Sequence, residues 1–181
     1  MRNLLFNLLL LSFAFSKNSF QIEIKNLSLE SSQTMNAANV LMMNSFEGMK
    51  YGTFAWVYKN NSWSEGYFGL TYMLKTFFQV GAGLGMEDAQ DPLRLGGLVW
   101  IGKKDLYVLS LFEDGGSGPW HQVNAIYRFN KYLGFGLMEE KYTGFGPRFE
   151  FSIPNLPLQI WSSFLKLGND QNTYITLKLI L

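Results

Sequence analysis

Thr173-Tyr-Ile-Thr-Leu-Lys-Leu-Ile-Leu181 is the stretch on which the fold turns. Laid out as an extended strand, Thr173, Ile175, Leu177, Leu179 and Leu181 share one face, and Asn172, Tyr174, Thr176, Lys178 and Ile180 share the other. Successive side chains of a strand point to opposite sides, so the segment has one apolar and one mostly polar surface up to its last residue. Terminal residues of a soluble domain usually fray. A strand patterned to its end pairs on both flanks. A closed membrane barrel requires such a strand, because an open edge in lipid leaves backbone donors and acceptors without partners.

The other end of the chain points to export. Arg2 supplies a short positive region, Leu4 to Phe15 form an apolar run broken by Asn7 and Ser12, and Ala14-Phe15-Ser16 places small residues where a signal peptidase reads. The run is too short for a spanning helix, which needs roughly 20 apolar residues. The expected organisation is a signal peptide over residues 1–16 and one domain over 17–181. Arg2 is the only charge in that leader, so the remainder carries 14 basic and 14 acidic residues. That balance excludes a nucleic-acid binder, which needs a basic face. The absence of Cys excludes disulfides and thiolate metal sites. No motif calls for a metal or a cofactor.

Alternation continues upstream with a rhythm of about ten residues, the length of a tilted membrane strand. It predicts strands over 19–30, 36–45, 49–59, 63–74, 76–86, 93–102, 105–113, 120–130, 132–142, 145–153, 157–167 and 173–181. The second is the least defined, since Met35, Ala38, Leu41, Met42 and Phe46 also fit a helical stripe. An even strand number favours the strand. With the N-terminus at the periplasm, Ser31–Met35, Asn60–Ser62, Glu87–Pro92, Asp114–Pro119, Thr143-Gly144 and Gly168–Asn172 form the outer links. Lys75, Lys103-Lys104, Lys131 and Pro154–Leu156 turn at the periplasmic side. Longer acidic loops at one end and short lysine-bearing turns at the other are expected.

The terminal strand resembles that of bacterial outer-membrane β-barrel proteins, whose last strand alternates apolar residues and commonly ends in an aromatic; this chain ends in Leu181. The resemblance implies an all-β, antiparallel up-and-down transmembrane barrel of about twelve strands, with ten as the next count, placed in the bacterial outer membrane among its lipids. It implies no particular activity.

Individual strands declare their faces. Over 76–86, Phe78, Val80, Ala82, Leu84 and Met86 oppose Gln79, Gly81, Gly83 and Gly85; over 145–153, Phe145, Phe149, Phe151 and Ile153 oppose Arg148, Glu150 and Ser152. A membrane barrel turns the polar face inward, and a lipocalin-like barrel does the reverse. Glycines at 81, 83 and 85 are expected on the inner wall, leaving room for long side chains from across the barrel. Gly81-Ala-Gly-Leu-Gly85 lacks the G-x-G-x-x-G spacing and a following helix, so it is no phosphate cradle. Trp63, Trp100, Trp120 and Tyr132 fall near strand ends and read as interfacial girdles.

Charges assigned inward are Glu23, Lys25, Glu65, Arg94, Arg128, Glu140, Arg148, Glu150 and Lys178, a nearly balanced set suited to cross-barrel ion pairs. His121 is the single histidine, and Ser117, with Asp114 or Glu113 behind it, is its candidate nucleophile. His121 alternates with apolar residues after Trp120, which reads as a side chain at headgroup depth. The first functional expectation is a small outer-membrane barrel with a structural or interaction role, or a narrow porin-like pore for small polar solutes. The alternatives are a lipid-acting barrel hydrolase using His121 and a secreted lipocalin-like binder of an apolar ligand. Nothing in the sequence sets an oligomeric state.

Overall fold

A last residue held by its neighbours is what the C-terminal pattern calls for, and Leu181 is so held. Its backbone N–H donates to Phe20 O at 2.9 Å, and Leu181 O accepts from Phe20 N–H at 3.1 Å. The computed structural model describes residues 16–29, 34–103 and 105–181. It has β1 (Ser16–Ser28), β2 (Thr34–Phe46), β3 (Tyr51–Asn60), β4 (Ser64–Lys75), β5 (Phe78–Glu87) and β6 (Leu93–Gly102). The second half is β7 (Leu106–Gly115), β8 (Trp120–Arg128), β9 (Leu133–Glu140), β10 (Gly144–Ser152), β11 (Leu158–Leu167) and β12 (Asp170–Ile180). Each strand pairs antiparallel with the next, and β1 pairs with β12 from Gln21↔Ile180 to Ser28↔Thr173, closing a twelve-stranded barrel. Of the expected leader only Ser16 is described, opening β1 opposite Phe46. Residues 1–15, residues 31–33 of the Ser31–Met35 link and Lys104 lie outside the described residues.

The segment with the helical stripe is the strand β2. Asn39 opposes Glu23 on one side and Tyr58 on the other. Ladder pairing on both flanks outweighs a local stripe, since strand preference follows the pairing environment. Turns are built by local side chains. Asn60 Oδ1 accepts from Ser62 N–H and Trp63 N–H at 2.9 and 2.7 Å, joining β3 to β4. Asn130 Oδ1 does the same for Tyr132 and Leu133 between β8 and β9. Gly168, at φ 62°, supplies the left-handed residue of the two-residue link into β12.

The expected difference in loop length is absent: links run two to five residues at both ends of the barrel. The acidic stretches were counted as loop, yet β5 runs through Glu87 and β7 through Gly115, so the ladder absorbs them.

Apolar side chains line the outside. Ile24, Leu70, Leu84, Leu95, Phe149, Ile175 and Leu177 are all exposed on that wall, while Glu23, Arg148, Glu150, Thr176 and Lys178 are buried within. This overturns the lipocalin-like alternative, because an apolar exterior with charges inside is stable only where lipid is the outer solvent. The interior is not uniformly polar. Leu41, Phe54, Trp56, Tyr67, Leu98 and Leu111 form one buried cluster, and Leu27, Met138, Trp161, Leu165 and Tyr174 another. These side chains fill the wall between charged groups, each burial contributing about 1.5–3 kcal/mol.

The glycines do face inward, with a different neighbour than expected. A Cβ on Gly83 would stand 2.5 Å from Phe68 O and 2.7 Å from Gly69 Cα, both in the adjoining β4 backbone. The facing pair Gly69↔Gly83 permits a close approach of β4 and β5. Side-chain room matters at Gly96, where a Cβ would meet the Tyr67 ring at 2.5 Å.

Candidate functional site: a lumen with segregated charge

The barrel ends differ: one carries the β1 start and β12 finish, the other the links after odd-numbered strands, here called the loop end. Inward parity places Glu23, Lys25, Glu65, Arg94, Arg128, Glu140, Arg148, Glu150 and Lys178 in the interior. The structure adds Glu87 and Glu113, both buried. Among the described residues the interior thus has five cations and six carboxylates; all but Glu140, which accepts from Gln122 at 3.1 Å, sort into two groups.

The first group lies on β1, β8, β10 and β12, from mid-barrel towards the termini. Glu23 receives Lys25 at 3.5 Å and Lys178 at 3.6 Å, with further hydrogen bonds from Asn39 at 3.1 Å and Trp161 Nε1 at 3.2 Å. Glu150 receives Arg148 at 2.8 Å and Arg128 at 3.9 Å, and Gln159 donates to it at 3.2 Å. The Arg148 guanidinium also lies 3.8 Å over the Trp161 ring and donates to Asn124 at 2.8 Å. Four cations share two carboxylates, so this wall is net positive. Stacking and amide contacts help hold the two surplus cations, Arg148 over Trp161 and Arg128 over Tyr107.

The second group sits at the loop end of β4 to β7. Arg94, 1 % exposed, pairs with Glu87, reaches Glu113 at 3.3 Å and lies 4.0 Å from Glu65. Here one guanidinium serves three carboxylates, so the wall is net negative. Ser117, in the β7–β8 link, donates its backbone N–H and its hydroxyl to Glu87 at 2.8 and 2.7 Å. Arg94 contacts Ser117 Oγ and donates to Gly118 O at 3.0 Å. The link is therefore tied down over the mouth by partly buried charge-assisted bonds.

These contacts separate the two candidate hydrolase residues. Ser117 points into the Arg94 cluster, whereas His121 points outward and pairs with Glu139 at 2.8 Å on the exposed face. No Ser–His arrangement forms, because alternate residues of β8 face opposite sides and His121 takes the outer one.

Two cavities lie between the walls. A vestibule of about 350 Å³ opens at the loop end, lined by Lys25, Trp56, Trp63, Glu65, Arg94, Glu113, Ser117, Trp120, Glu140 and Tyr174 among others. A space of about 40 Å³ lies deeper, lined by Glu23, Asn39, Gln122, Asn124, Arg148 and Lys178 among others. Trp63 and Trp120, expected in a girdle, line the vestibule instead, and Trp100 shares the inward parity of Arg94 and Leu98. Trp120 stacks on Trp56 with ring centres 5.6 Å apart, and Trp56 on Tyr67 at 5.3 Å. The signal was present in the sequence: Trp120 has the parity of Gln122 and Asn124. Between the cavities stand side chains: Trp56 bonded to Asn39, and Lys25 bonded to Glu23.

Solved structures share this architecture. KdgM porin in complex with disordered oligogalacturonate superposes with a TM-score of 0.62 at 13% identity, covering 88% of this chain and 98% of that one. The fold is that of an outer-membrane porin. The Acinetobacter baumannii outer membrane protein Omp33 gives 0.57 at 8% identity, covering 90% and 98%, and NanC porin gives 0.52 at 12%, covering 88% and 100%. No protein-family model matches the sequence, and no curated protein matches it significantly. The outer-membrane location expected from the sequence agrees with these porin neighbours.

Proposed function

We propose that the barrel is a narrow channel for small polar solutes in the bacterial outer membrane. The observation that carries this reading is the pair of cavities along the interior, divided by two side-chain contacts. Trp56–Asn39 and Lys25–Glu23 each have one member on either cavity. Side chains rearrange far faster than folded segments unfold, so such a divider admits passage without loss of the barrel. The porin neighbours support the reading, one of them in complex with disordered oligogalacturonate. The positive wall around Arg148 and Lys178 gives the narrow segment an anion preference, since fixed charge at a constriction sets which ions enter.

Refolded protein in planar bilayers should show small, discrete conductance steps with a reversal potential on the anion side. Arg148→Glu and Lys178→Glu should each move that potential towards cations. A barrel that is folded by gel mobility yet gives no steps would overturn the channel and leave a structural or interaction role.

A further inference from the structure

We propose that the vestibule binds solutes carrying both an ammonium and a carboxylate, the amino-acid and short-peptide class. The proposal deepens the channel reading and rests on it for the route by which the solute arrives.

The vestibule has surplus carboxylates on one wall and the Lys25 ammonium across from them. On β4 and β7, Glu65 and Glu113 line it, and together with Glu87 they leave the Arg94 guanidinium outnumbered. Glu113 is 6 % exposed, and its carboxylate meets the buried Tyr67 hydroxyl as well as Arg94. Buried charges are ordinarily paired with opposite charge, so carboxylates that outnumber their one guanidinium mark a place for an incoming donor with positive charge. Lys25 lines the same cavity from β1, six strands round the ring from Glu113 on β7. Lys141 lines it from the β9–β10 link, where its ammonium donates to Pro119 O at 2.6 Å. Glu140 on β9 accepts from Gln122 at 3.1 Å. A lone organic cation would satisfy the acidic wall and meet a lysine across the cavity. A solute with both charges satisfies both.

Size and lining fit the same class. About 350 Å³ is at the lower end of the roughly 300–1,000 Å³ typical of small-molecule sites. Trp56, Trp63 and Trp120 line the space between the charged groups, with Trp56 stacked on Tyr67 and Trp120. Aromatic side chains attract an ammonium and cover the apolar body of a small peptide. A metal ion is the poorer occupant: among the described residues no three acidic or histidine side chains converge as ligands, because the carboxylates fan around Arg94.

The test uses one skeleton with its charges removed singly: the dipeptide Ala-Ala, its N-acetylated form and its C-amidated form. Binding is read from tryptophan fluorescence of the refolded barrel in detergent, since three of the five tryptophans line the vestibule. Ala-Ala should bind about tenfold more tightly than either blocked form, the effect of losing one charge-assisted contact. Glu113→Gln should weaken Ala-Ala and the amidated form and leave the acetylated form unchanged. Glu65→Gln serves as a second variant should Glu113→Gln fail to give the folded gel band. Equal binding of the three probes, or displacement of Ala-Ala by millimolar calcium, would overturn the proposal. Conductance without selective binding sinks this inference alone, whereas selective binding without conductance sinks the channel alone.

Discussion

Arg94→Met should be among the most damaging single substitutions in this barrel. The Arg94 side chain is 1 % exposed, and those of Glu87, Glu113 and Glu65 are 0 %, 3 % and 8 % exposed, so little water screens the group. At an effective dielectric of about 20, a unit charge pair 4 Å apart interacts by about 4 kcal/mol. Arg94 attracts three carboxylates that repel one another, so the net loss is of the order of one such pair. Removing one partner from a buried ion group typically costs about 3–5 kcal/mol, which agrees. The Met side chain keeps most of the volume and none of the charge. Adding Glu87→Gln and Glu113→Gln to Arg94→Met should restore most of the loss, because the repelling charges go with their cation. Urea titration in lipid vesicles, followed by tryptophan fluorescence and gel mobility, gives the free energies by linear extrapolation. A single-variant loss below about 1 kcal/mol, the worth of an exposed pair, would refute the reasoning. So would a triple variant no more stable than the single one.

The two walls should differ in kind. Ile175→Lys, mid-strand on the lipid face, should cost about 2–4 kcal/mol in the same titration. Thr176→Lys, on the inner face, should cost a comparable amount, because Thr176 is 1 % exposed opposite Trp161 and shares its neighbourhood with Lys25. Gly83→Leu should abolish the heat-modifiable folded band, since its Cβ meets the β4 backbone, whereas Leu84→Phe on the lipid face should stay within about 0.5 kcal/mol of the parent.

Much of the fold could be read from period-two patterning because a membrane barrel imposes one rule on every strand. Lipid demands an apolar outer face, closure demands an even ring, and both demands fall on neighbouring residues in sequence. Phe149 and Arg148, or Leu177 and Lys178, thus declare their sides locally. The strand ends were harder. Glu87 and Asp114 were left to loops because Asp, Gly and Glu cluster there, yet ladder pairing with β4 and β6 carries the strands through those residues. The aromatic residues near the rims misled for another reason: Trp63 and Trp120 have inward parity, and the expectation of a girdle overrode it.

By itself the sequence favoured twelve strands, the closure through Thr173–Leu181 and, by parity, the face of most side chains. All three follow from alternation, a property of adjacent residues. The tertiary structure decided which inward charges meet. Glu23 joins Lys178 across the β1–β12 seam, Arg94 collects Glu65, Glu87, Glu113 and the Ser117 loop, and His121 parts from Ser117. These depend on stagger between strands and on how the links fold over the mouth. Nearly balanced charge in composition therefore became two walls of opposite sign, because long-range register, unlike parity, is not written in any short run of residues.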